Sequence, residues 1–277
     1  MKPVGQTFDY DRFKLYLKSY VGEHRRHLLL LTLLVAFLPT FLLCVFTWLF
    51  QDEYQFNNQY WSSNHDPMAS SLIPIVAVLC IVMSAFAGSR MFSVLATKHS
   101  REGFLTIPAS SLEKFTALFA IYCVGYILLM SVSIMVADFI RLGLFSYLGP
   151  DVDFILAPWK LKELMSEEFW LKFVILWLGY FCCILSTYAV GSALWPRHGF
   201  IMTFVATSAL QIVWGILFLG AILPLNLFGG SYEPRFDFEV NENIIIGLGI
   251  ALEMIYTAGC FVFCYFRMKQ WEIISRW

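Results

Sequence analysis

Glu253 and Gln211 are polar residues set deep inside long apolar runs of this chain, where a side chain able to do chemistry is least expected. A carboxylate at mid-depth in a bilayer is costly to hold and marks a functional position by default. Glu253 lies about nine residues into the last run, roughly 14 Å from its outer end at the helical rise per residue. Gln211 sits at similar depth in the preceding run and is a candidate hydrogen-bond partner. Two readings stay open for the pair: a structural polar contact, or a contact to substrate. Cys260 and Cys264 share a helix face at i,i+4 spacing, which suits a pair of metal ligands. No His or carboxylate stands beside them at a useful offset, so plain packing is the better reading and no metal is expected.

Enzymatic constellations are missing. The sequence has no H-E-x-x-H, no G-x-S-x-G and no G-x-x-x-x-G-K-[ST] phosphate loop. Glu167 and Glu168 resemble half of an acidic protease motif, but they fall at a boundary without histidines at depth. His24, His27, His65, His99 and His198 all lie in or beside loops. A membrane-embedded enzyme is therefore the weakest reading, and no catalytic residue, cofactor or ATP site is assigned.

Composition says what must position these residues. Of 277 residues, 59% are hydrophobic and 14% charged, with a mean hydropathy of +0.68. Ordinary globular domains carry about 25% charged residues, so this is a polytopic membrane protein. A net charge of −1 leaves no basic face for nucleic acid. The seven cysteines (44, 80, 123, 182, 183, 260 and 264) lie inside apolar runs and read as small buried hydrophobes. The charged stretch before the first run does not fit a signal peptide, so that run is expected to stay in the membrane.

About 20 apolar residues cross the hydrocarbon core as a helix. Six segments qualify, near 28–50, 72–97, 115–140, 170–195, 200–225 and 244–266, giving an all-α protein organised as one membrane domain over 1–277. Fourteen of the nineteen cations flank one set of loop ends, and twelve of the twenty acids lie on the other side. The positive-inside rule then places both termini in the cytoplasm, in the cell inner membrane. Trp48, Trp170 and Trp195 fall near span ends, where interfacial tryptophans belong. Ser84-xxx-Gly88, Ala189-xxx-Ala193 and the Gly247, Gly249, Ala251 set suit close helix approach, and Pro39 is positioned to kink the first span. Residues 141–169 suggest a short amphipathic helix on the outer surface.

Two cytoplasmic segments remain. In the first, Phe13, Leu17, Tyr20 and Val21 share a face, which predicts an amphipathic helix along the inner leaflet feeding the first span. In the second, 97–115, helix two is expected to reach Arg101, with Gly103 ending it. Pro108 forbids continuation, and Ser110 and Glu113 have capping-box spacing for the third helix. The resulting elbow bears Phe104, Leu105 and Ile107, expected to be exposed apolar residues rimmed by charge, as at protein contacts.

The run IPASSLEKF at 107–115 resembles the "PAS-x-LEKF" loop of permease subunits of type-two ABC exporters. The layout is similar too: an amphipathic N-terminal helix, six spans, and a short loop between spans two and three. The resemblance implies a separate ABC ATPase subunit that delivers force to this loop. Phe104, Leu105, Ile107, Pro108, Ser110, Glu113 and Lys114 would then form the coupling segment. Phe13, Leu17 and Tyr20 would lie on the connecting helix. It also implies a homodimer or heterodimer of permeases. Family members often have a larger outer element between spans five and six, whereas here the longer loop follows span three. The alternative is a non-transporting membrane sensor or assembly protein.

Overall fold

The computed structural model describes residues 8–50, 69–97, 100–101, 103–104, 107–146, 154–156, 167–228 and 242–274. Among them no strand occurs. The main helices are α1 (Tyr10–Glu23), α2 (Arg25–Leu49), α3 (Ala69–Arg90), α4 (Ser111–Phe145), α5 (Glu167–Leu194), α6 (Gly199–Phe228) and α7 (Glu242–Ile274). Six of these, α2 through α7, are long and apolar enough to cross a membrane. The chain is an all-α, multi-pass membrane protein.

Small residues set the closest approaches. A methyl group on Gly88 of α3 would collide with the Leu185 carbonyl of α5, and Ala189 packs against the same spot. Ser192 donates to the Gly88 carbonyl at 3.3 Å. The two small-residue patterns of α3 and α5 therefore face each other, as close packing requires. Gly191 of α5 likewise leaves room for Thr203 of α6. The third pattern does less. Gly247 has nothing near it, and Gly249 only touches Leu176 at van der Waals distance.

Pro39 is buried within α2 and has no N–H to give the Val35 carbonyl four residues back. Ser133 of α4 supplies the missing donor, its hydroxyl lying 2.6 Å from that oxygen. In a bilayer such a freed carbonyl must find a protein partner, because the hydrocarbon offers none. The proline thus docks α2 on α4 through a hydrogen bond that a regular helix would not have available. Midway down α4, residues Ala120–Gly125 form a π-helical turn. It brings Tyr122 to Tyr20 of α1 and Tyr126 to Ser84 of α3, each pair of hydroxyl oxygens 3.4 Å apart.

One element differs from expectation. Helix two ends at Arg90 rather than near Arg101. The Met91 N–H bonds to the Gly88 carbonyl, three residues back, and a 3₁₀ turn follows at Ser93–Leu95. Ser89 and Ser93 donate to the carbonyls of Phe86 and Arg90, competing with regular helix geometry as short hydroxyl side chains do. Arg90 itself is exposed and lies over the Phe86 ring.

Candidate functional site

The elbow ahead of α4 is built from local rules. The Ala109 N–H bonds to the Ile107 carbonyl at 2.8 Å, closing a three-residue turn on Pro108. Ser110 then caps α4: its Oγ accepts from Glu113 N at 3.2 Å, and Glu113 Oε2 accepts from Ser110 N at 2.8 Å. This is the reciprocal capping box that the sequence spacing announces.

Glu113 does more than cap. Its second oxygen, Oε1, accepts the Asp9 backbone N–H at 2.9 Å and lies 3.3 Å from the Arg12 guanidinium. Asp9 is the N-cap of α1, its side chain accepting from Asp11 N. One carboxylate therefore bolts the N-cap of α1, the elbow and the start of α4 together. Glu113 is fully buried, so these bonds form away from competing water.

The apolar residues of the elbow do not face outward as expected. Phe104 is only 4% exposed. Its ring meets Tyr16 of α1 edge-on at 6.4 Å, and the Lys114 ammonium lies over it at 5.2 Å. A buried ammonium on an aromatic face gains a cation–π contact in place of water. Ile107 is half-buried against the core and Lys114 is buried, while Pro108 is exposed. Leu105 lies outside the described residues.

The face of α1 also shifts. Phe13, Leu17 and Tyr20 point inward as the periodicity predicts, but Val21 is exposed and Tyr16 takes a central place. Tyr16 was missed because its register falls between the chosen positions, although it precedes Tyr20 by one turn. Burial pushes the phenols of Tyr16 and Tyr20 well above their ordinary value. Asp9 carries the usual N-cap signal, yet no local pattern shows that its amide reaches Glu113.

The far end of α4 holds a second constellation. Asp138 and Arg141 pair at 3.0 Å, both buried. Asp138 Oδ2 also accepts from the amides of Ile155 and Leu156, at 3.0 and 2.8 Å. The surface helix expected at 141–169 lies mostly outside the described residues; 154–156 are bent and docked on this carboxylate.

Glu253 and Gln211 are not joined. Glu253 packs against Gly179 of α5, its Oε2 buried without a hydrogen-bond partner, while Gln211 is exposed on α6. The seam between α5 and α7 is instead tied by Cys183 to Thr257 at 3.3 Å and Thr187 to Tyr256 at 2.9 Å. No group of metal-binding residues occurs among the described residues, and Cys260 and Cys264 are free thiols. No protein-family model matches the chain, and no curated protein or solved structure matches it.

Proposed function

We propose that this chain is the membrane-spanning permease subunit of an ATP-driven exporter, moved by a separate ATPase chain. The force would enter at the corner formed by α1, the elbow and the start of α4. The Glu113 tie carries this reading. Because one buried carboxylate holds Asp9, Arg12 and Ser110, a push on α1 or on the elbow reaches α4 as a push on one body. Close-packed interiors transmit such displacements rather than absorbing them. In this reading the corner faces the cytoplasm at the inner membrane, with both termini on that side, in accord with the cation bias. A second copy or a homologue completes the transport path.

The contact positions follow from exposure. Phe104 and Glu113 are buried and hold the corner together, so the ATPase would touch Leu15 at 69% exposure, Leu112 at 45%, and Pro108. The test is to co-purify the chain with an ABC ATPase encoded beside it and measure stimulated ATP hydrolysis. The double substitution L15E/L112E is expected to weaken association roughly tenfold, as loss of a central apolar contact does, with the melting temperature unchanged. If no ATPase co-purifies, or if the double variant binds as well as the parent, the reading fails in favour of a non-transporting sensor or assembly protein.

A further inference from the structure

At the same end of the bundle as the Glu113 corner, but sharing no residue with it, a pocket of about 480 Å³ opens between the turn joining α5 to α6 and the last turns of α7. Its polar lining is basic: Arg101, Arg197 and His198. The guanidinium of Arg101 lies 4.5 Å from the centre of the Trp271 ring, and that of Arg267 lies 5.4 Å from the same ring. Two like charges are thus held within about 10 Å of each other on a single indole. Among the described residues no carboxylate pairs with Arg101, Arg197 or Arg267.

Hydrogen-bond accounting points the same way. Arg101 Nε, Arg267 Nε and Trp271 Nε1 are all buried N–H donors without an acceptor. The hydrogen bonds that the two arginines make, to the Leu95 carbonyl and to Gln270, use other nitrogens. Buried donors in native proteins are nearly always satisfied, so three orphans around one indole call for a ligand rich in acceptors and negative charge. A phosphate group has both properties.

The surroundings narrow the source of that phosphate. The pocket lies where α5 ends at Leu194 and where the apolar span Ile246–Trp271 ends, so its mouth is at the level of the membrane–water boundary. Trp195 and Trp271 line it, in the position interfacial tryptophans take. A second cavity of about 310 Å³ shares Leu194 and is lined by Phe263 and Phe266, both exposed apolar side chains, together with Arg267 and Gln270. Two adjoining cavities that each carry arginine, the second walled by exposed phenylalanines, match an amphiphile with an anionic head.

We propose that this pocket binds the headgroup phosphate of an anionic phospholipid, with an acyl chain along Phe263 and Phe266. Arg101 and Arg197 of this pocket and Arg267 of the adjoining cavity supply charge, and the Trp271 indole donates a hydrogen bond. The test uses the full chain in detergent, offered phosphatidylglycerol or phosphatidylcholine and read by native mass spectrometry. Phosphatidylglycerol is expected to be retained preferentially. R197Q/R267Q, which alters one exposed and one half-buried position, is expected to lower retention roughly thirtyfold, at about 1 kcal/mol for each lost arginine. R197K/R267K should restore most of it, and W271F should weaken retention with both charges in place. R26Q, an exposed cation of α2 away from the pocket, should change nothing. Equal retention of the two lipids, or an equal loss in R26Q, would overturn the assignment to this pocket. Release by millimolar inorganic phosphate would reassign it to a free anion, and release by a short poly-glutamate peptide to an acidic protein segment. Either result would overturn the lipid proposal.

Discussion

Each end of α4 is closed by a buried carboxylate that accepts two backbone N–H groups and one arginine. Glu113 takes the amides of Asp9 and Ser110 and the side chain of Arg12. Asp138 takes the amides of Ile155 and Leu156 and the side chain of Arg141. The two differ in reach and in access to water. Arg141 sits one turn from Asp138 on the same helix and is completely buried, whereas Arg12 comes from another helix and its side chain is 30% exposed. If the Asp138 pair is broken, the charge left behind has no water to turn to. If the Glu113 tie is loosened, Arg12 can be hydrated. The first is an anchor, and the second can yield under load without stranding a charge.

That contrast sets the order of effects. D138N preserves shape but removes the charge that pairs with buried Arg141, and removing one partner of a buried pair costs about 3–5 kcal/mol. Thermal unfolding in detergent should show it as the largest loss at either end. Replacing both partners, as D138N/R141M, should recover much of the loss, since an apolar residue needs no counter-ion. A double variant no more stable than D138N would mean that Arg141 is held by other partners and that the far end is not a sealed pair.

E113Q should cost less, about 1–3 kcal/mol, because one amide oxygen replaces two acceptors while Arg12 gains water. Its signature is local. Hydrogen exchange across Tyr10–Glu23 should accelerate while the spans stay protected, since α1 loses its bolt and is left with the packing of its inward face, Phe13, Tyr16, Leu17 and Tyr20. Exchange unchanged in α1 would make the two ends alike and remove the reason for placing force at this one.

Local spacing carries the near partners of both carboxylates and not the distant ones. Ser110 to Glu113 and Asp138 to Arg141 each lie three apart, a spacing that on a helix or at its cap fixes contact. Asp9 to Glu113 and Asp138 to Ile155 depend on how whole helices pack, which no local pattern encodes. The six spans were legible because hydrophobic length alone decides them. The exposed elbow was not, because Phe104 is charge-flanked in sequence yet packed beneath Tyr16 and Lys114 in space. The end of α3 escaped for a related reason: Gly88 reads as a packing residue in the small-residue pattern, and the change of geometry accompanies serine hydroxyls competing for carbonyls.

The comparison has a neutral limit between the two ends. Ser133 satisfies the Val35 carbonyl that Pro39 frees, using a single uncharged bond within the span. Polar contacts inside membranes are individually modest, averaging about 0.6 kcal/mol where they have been dissected, so S133A is expected to cost roughly 1 kcal/mol and to be the smallest of the three effects. A proline partner makes this bond separable from ordinary packing. In a P39A background the Val35 carbonyl regains an N–H four residues on, and Ser133 becomes redundant. S133A should therefore destabilise the parent chain and leave P39A nearly unchanged, a coupling that a double-mutant cycle reads directly. Equal losses in both backgrounds would show that Ser133 acts through its volume. The order from sealed ion pair to wet ion pair would then rest on charge alone, with no neutral bond to calibrate it.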